Sequence, residues 1–115
     1  MKRLSLILLA MLLGSIAWGT TLKYTEVHDI PYKKSEEAYV KERCKLDIYY
    51  PEDTTGCPVV VWFHGGGLTQ GNKSFPWKLK EKGMVLVAVN YRLLPKVEIN
   101  ECLDDAAAAV AWVFR

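Results

Sequence analysis

Hydrophobic and polar positions change their rhythm several times along the chain. An unbroken apolar run from Leu4 to Ile16 follows Lys2-Arg3 and gives way to Ala17-Trp18-Gly19. Between Leu22 and Ile30 the order is mixed, with β-formers on one side before Pro31, which predicts a weak edge strand. Residues 33–43 are charged and turn-like. Leu46, Ile48 and Tyr50 then alternate with Lys45, Asp47 and Tyr49 as in a half-buried strand ending at Pro51. A polar loop over residues 52–56 precedes the continuous apolar run Val59-Val60-Val61-Trp62-Phe63, which with no polar face suits a central, parallel strand.

A glycine-rich loop from Gly65 to Gly71 comes next, then a helical segment over Ser74–Lys82 stopped by Gly83. Met84–Val89 reads as a second buried strand. Past the turn at Tyr91-Arg92-Leu93-Leu94-Pro95, Asn100 caps a helix whose inward face is expected to carry Leu103, Ala106, Ala107, Val110, Val113 and Phe114. Glu101, Asp104 and Asp105 suit the positive start of that helix. The order of elements implies an α/β fold with a mostly parallel sheet and right-handed crossover helices. The last helix runs into Arg115, and so few strands leave an open apolar edge, the pattern of a chain cut short. There is no internal repeat.

The first nineteen residues carry the layout of a secretory signal peptide: a basic start, a short apolar stretch, and small residues at Ala17 and Gly19 that place cleavage before Thr20. A membrane anchor is the alternative reading, but the run is short for a bilayer and no second apolar span follows. The expected destination is secreted or periplasmic, without stable membrane insertion after cleavage. With Lys2 and Arg3 set aside, thirteen basic residues face thirteen acidic ones. That balance gives no bias toward nucleic acid or an anionic surface, so no nucleic-acid partner is expected. The three cysteines, Cys44, Cys57 and Cys102, are an odd number, so at least one is unpaired. They are widely spaced with no suitably placed histidine, and no metal site is expected. His28 stands outside every motif and receives no role.

The strand that ends in His64-Gly65-Gly66-Gly67 holds the most specific chemistry. Glycines let successive backbone N–H groups turn toward one point with no side chain in the way. Such a point can hold an oxyanion, and in acyl transfer each preorganised donor is worth roughly 3 to 4 kcal/mol in the transition state. Gly66 and Gly67 are the candidate donors. A bare glycine turn is the simpler reading of the same residues. A phosphate loop is the rival, because Gly66 to Ser74 nearly fits G-x-x-x-x-G-K-[ST], but Asn72 breaks the spacing and displaces Lys73 and Ser74.

Taken together, Val59-Val60-Val61-Trp62-Phe63-His64-Gly65-Gly66-Gly67 and Val89-Asn90-Tyr91-Arg92-Leu93-Leu94-Pro95 resemble the hormone-sensitive-lipase and feruloyl/acetyl-xylan-esterase branches of the α/β-hydrolases. Asp105 to Val113 is similar to the helix that precedes the nucleophile strand there, so the likeness covers residues 44–115, behind an N-terminal segment of residues 20–43. The resemblance implies the N-terminal part of an α/β-hydrolase fold, truncated before the nucleophile strand. It implies a secreted carboxylic-ester hydrolase with a small-molecule or polysaccharide-linked ester as substrate and no cofactor. Gly66 and Gly67 map to oxyanion donors, His64 to loop support, and Tyr91 and Arg92 to packing and polar support. Asp104 and Asp105 read as helix-start charges.

The nucleophile of that family lies in G-x-S-x-G after the last helix read here. Of Ser5, Ser15, Ser35 and Ser74, none has glycines at both flanking positions. Only the oxyanion half of an esterase site is therefore expected, and the chain alone should be inactive. A non-catalytic binding module of the same fold, or an inactive gene remnant, remains the other expectation.

Overall fold

A computed structural model describes residues 21–115; the expected signal peptide lies outside the described residues. The elements in chain order are β1 (Tyr24–Pro31), α1 (Ala38–Arg43), β2 (Lys45–Pro51), β3 (Val59–Phe63), a 3-10 turn at Trp77–Leu79, β4 (Val85–Val89) and α2 (Ile99–Val113). The four strands form one sheet in the order β1-β2-β4-β3.

The sheet is mixed, which corrects the expectation of a mostly parallel one. β1 pairs antiparallel with β2, β2 antiparallel with β4, and only β3 with β4 is parallel. The long β3-to-β4 connection permits a parallel return, whereas β2 enters the sheet from the other direction. The first apolar run does not take the central place expected of it, while the second is the buried strand expected. β4, buried at all five positions, is the strand with partners on both sides, while β3 lies at the edge of the described sheet with Trp62 exposed.

One face of the sheet packs against α2. Leu46, Val85, Val87, Val89 and Ala109 are buried there, with Ile48, Val59, Val61, Trp112 and Val113 around them. Tyr49 points to the other face, where Tyr24 stacks on it at 4.8 Å and Phe75 lies at 5.6 Å. That second cover comes from the segment expected to be a helix over 74–82, which forms only the short 3-10 turn at Trp77–Leu79. Pro76 removes a backbone donor, and Glu81 and Gly83 both take positive φ, so regular helix cannot run through.

The inward face of α2 also differs from the apolar stripe expected. Cys102, Asp105 and Ala109 are its buried residues. Leu103 and Phe114 are 62% and 67% exposed, and Ile99 and Val110 are exposed as well. A hydrophobic tally misplaces the face because the residue that anchors the helix is a carboxylate, Asp105. The start differs too: Glu98, not Asn100, is the N-cap, in a capping box in which Glu101 Oε2 accepts from the Glu98 amide at 2.6 Å. Residues expected to be turn-like contain α1, a six-residue helix too short for a periodic pattern to reveal. All three cysteines are buried and free. No helix among the described residues is long and apolar enough to cross a membrane.

Candidate active site at the glycine loop

The parallel pairing of β3 and β4 builds the site. Phe63 stands opposite Val89, so His64 and Asn90, the next residue of each strand, leave the sheet side by side. Carboxyl ends of neighbouring parallel strands are where α/β sheets place their ligands. The two stretches read as motifs, some 25 residues apart in the chain, thereby meet.

The loop needs its glycines. Gly66 has φ 128°, Gly67 63° and Gly71 116°, and even Leu68 sits at 67°. A Cβ on Gly66 would land on the backbone of Gln70, and one on Gly71 would land on the His64 ring and the Gly65 carbonyl. The turn closes on itself where the Gly66 carbonyl accepts from the Thr69 amide at 3.2 Å and from the Thr69 hydroxyl at 3.1 Å. Among the described residues no acceptor takes the amide of Gly66 or Gly67.

His64 is buried at the root of the loop. Its Nδ1 lies 2.8 Å from the Gly65 carbonyl and its Nε2 lies 3.3 Å from Arg43 Nη2. Tyr91 stacks on the imidazole at 4.6 Å, and its hydroxyl donates to the His64 carbonyl at 2.9 Å. Burial pushes the Tyr91 phenol up from its ordinary value, so the hydroxyl stays a donor. Asn90 reaches the far side of the loop: its Oδ1 accepts from the Lys73 amide at 2.7 Å and its Nδ2 donates to Asn72 at 3.1 Å. Leu68 and the Leu94 amide join the two segments through a 2.8 Å bond.

Arg92 turns away from the glycines into a buried ion cluster. Its Nε and Nη2 donate to Asp105 at 2.9 Å each, and its own amide donates to the same carboxylate at 3.0 Å. Lys33 Nζ adds a fourth bond at 2.6 Å, and Asp105 is 0% exposed. Burial by itself would raise the Asp105 carboxyl, but the hydrogen bonds from Arg92 and Lys33 outweigh it and hold it below the ordinary carboxylate range. The same bonds push the Arg92 guanidinium up. Asp105 is thus a buried anchor, not the helix-start charge expected, while Asp104 is exposed. Tyr91 and Arg92 give the packing and polar support expected of them.

The phosphate-loop alternative fails here. Lys73 Nζ is engaged by Asp29 at 2.7 Å and Asp47 at 3.2 Å, and no helix N-terminus follows the loop. Cys44, whose thiol burial pushes up to about 11, and Cys102, whose thiol donates to the Arg92 carbonyl, are packing groups and not nucleophiles. No group of three or more metal-binding side chains occurs among the described residues. An apolar hollow of about 230 Å³ beside Tyr50, Thr54, Cys57 and Val85 sits at the opposite end of the strands and is no part of this site. Arg43 is a site-supporting residue that the sequence did not mark; Asp105 and Asn72 were noted there for other reasons, and Asn90 stood inside a motif without a role.

Residues 46–115, more than half of the chain, match the BD-FAE family, and the chain belongs to this family of α/β-hydrolases. Over 76 residues it is 34% identical to a probable isoprenylcysteine alpha-carbonyl methylesterase of Oryza sativa subsp. japonica, covering 62% of this chain and 18% of that protein. Glutactin of Drosophila melanogaster is 31% identical over 104 residues, covering 81% of this chain and 10% of that one. Esterase B of Lactobacillus rhamnosis superposes with a TM-score of 0.66 at 23% identity, over 91% of this chain and 34% of the other. The fold is that of the N-terminal part of an α/β-hydrolase. The chain spans well under two thirds of the length of each of these proteins.

Proposed function

We propose that residues 44–115 are the oxyanion-binding half of a secreted serine ester hydrolase. Family membership supports ester hydrolysis as the reaction class. The observation that carries the finer reading is the pair of loop amides at Gly66 and Gly67, held at positive φ with no intramolecular acceptor among the described residues. When a serine attacks the ester carbonyl, the carbonyl oxygen gains a negative charge, and two fixed N–H donors at that point lower the barrier. His64 supports the loop and is no general base, because its Nδ1 faces a carbonyl and its Nε2 a guanidinium.

The serine, acid and histidine that would complete the reaction are not among these 115 residues, so the 115-residue chain by itself binds without turning over. Export follows from the N-terminal layout, and the ester is a small acyl ester or one on acetylated or feruloylated plant polysaccharide. No cofactor takes part.

The test is p-nitrophenyl acetate hydrolysis and fluorophosphonate labelling of the protein translated from the complete reading frame, with the 115-residue chain run beside it. Labelling and turnover are expected in the former and neither in the latter. A folded complete product that neither labels nor hydrolyses would overturn the esterase reading in favour of a binding module. Labelling of the 115-residue chain would overturn its assignment as half a site.

A further inference from the structure

Helix α1 ends on Arg43, a residue 8% exposed whose side chain reaches both segments of the site. Its Nε donates to the Tyr91 carbonyl at 3.0 Å and its Nη1 to Asn72 Oδ1 at 3.1 Å. Its Nη2 donates to the Gly71 carbonyl at 3.2 Å and lies 3.3 Å from His64 Nε2. Among the described residues no carboxylate pairs with it within 4.0 Å, in contrast to Arg92. Burying a guanidinium without an anion is unfavourable, and stability alone would favour an apolar residue of similar size at this position.

We propose that Arg43 is the positioning residue of the oxyanion loop, acting by fixing the tautomer of His64 and clamping the Gly71 end of the loop. This rests on the reading of Gly66 and Gly67 as oxyanion donors. A guanidinium has donors only, so His64 Nε2 must accept from it. A carbonyl accepts only, so the ring proton must sit on Nδ1, facing the Gly65 carbonyl at 2.8 Å. The two constraints agree on one neutral tautomer, Nδ1–H with Nε2 bare. That N–H fixes the carbonyl of Gly65, and because the peptide unit is planar it also fixes the amide of Gly66. The bond to the Gly71 carbonyl closes the other end, where Gly71 packs on the same imidazole. Arg43 touches no substrate; it sets where the donors point.

The experiment is long-range ¹H–¹⁵N correlation at neutral pH on the ¹⁵N-histidine-labelled protein from the complete reading frame, with His64 assigned by His64→Gln. The wild type is expected to show Nδ1 protonated and Nε2 bare. In Arg43→Met only the Gly65 carbonyl still holds the ring proton, so an Nε2–H fraction is expected beside Nδ1–H, and the Thr69 and Lys73 amides exchange about tenfold faster while those of β4 do not change. Arg43→Lys keeps the charge but cannot span Tyr91, Gly71 and His64 together, so a mixed tautomer is expected there, with kcat down about tenfold or more and KM held.

A wild-type His64 protonated on Nε2 overturns the proposal whether or not any variant folds. So does an Arg43→Met or Arg43→Lys protein with wild-type tautomer and wild-type exchange. The spectrum is read without any ester, so its failure is separate from a failure of the esterase reading, which turnover and probe labelling decide.

Discussion

Two clusters of charge flank this sheet, and they do different work. In the cluster behind α2, Asp105 is fully buried and takes bonds from Arg92, Lys33 and a backbone amide. In the cluster along β1, His28 bridges Glu26 at 2.9 Å and Asp47 at 3.0 Å, and Lys80 approaches Glu26 at 3.5 Å, with the His28 side chain 53% exposed. Asp105 is sealed from water, whereas the second cluster opens to it through His28 and Glu26, and its buried Asp47 also has Lys73 at 3.2 Å. Removing Asp105 therefore strands buried positive charge, whereas removing His28 leaves Glu26 to water and Asp47 to Lys73. The buried cluster also ties the chain after β4 to α2, which gives the glycine loop a fixed neighbour to lean on.

The sharpest way to break the contrast is Asp105→Ala in the protein from the complete reading frame. It leaves Lys33 without its anion and Arg92 with only the exposed Glu37 at 3.5 Å, and a loss of about 3 to 5 kcal/mol is expected from urea unfolding. A loss as small as a surface pair gives would remove the distinction between the clusters. Gly66→Ala comes next: a Cβ there meets the Gln70 carbonyl at a φ that side chains rarely adopt. Disturbing one oxyanion donor should lower kcat about 10²-fold with KM little changed. Arg92→Lys follows, since it keeps the charge and loses the two-pronged contact, with about 1 to 2 kcal/mol expected by the same unfolding measurement.

The pH dependence separates the clusters by sign. The Asp105 carboxyl is held below its ordinary range in the folded state, so its contribution is complete above the usual carboxylate pKa and disappears as pH falls through the lowered value. His28 is raised above 6.5, first by its hydrogen bond to Asp47. Its contribution is therefore complete below that value and fades as pH rises through the raised one. Urea midpoints across pH should show acid weakening that Asp105→Asn removes. The smallest effect is expected for His28→Gln, with no resolvable change in midpoint at pH 8.

The same contrast explains what could be read from the sequence. Strands of β-formers, and the glycines that only a positive-φ loop requires, announce themselves through local preference, so β1, β2, β3, β4 and the loop occur along the chain where expected, although β3 lies at the edge of the described sheet and not at its centre. The inward face of α2 did not, because a fully buried Asp105 looks like a surface residue until Arg92 and Lys33, 13 and 72 positions away, are seen around it. Arg43 was hidden for the same reason: in the chain it sits in a charged, turn-like stretch, and only the fold carries it to His64. Strand direction was in part legible: the alternation of β2 is the pattern of an antiparallel strand and the continuous runs of β3 and β4 that of a parallel pair, and the expectation of a mostly parallel sheet came from the order of elements. What the sequence conceals here is long-range pairing of polar groups.

The central claim is that the Gly66 and Gly67 amides receive a negative oxygen, and their own resonances report it most directly. In ¹H–¹⁵N spectra of the protein from the complete reading frame, phosphonylation by a fluorophosphonate should move both amide protons downfield, with Gly83, in a turn far along the chain, unmoved. Labelled protein in which the Gly66 and Gly67 resonances stay where they were would contradict the claim.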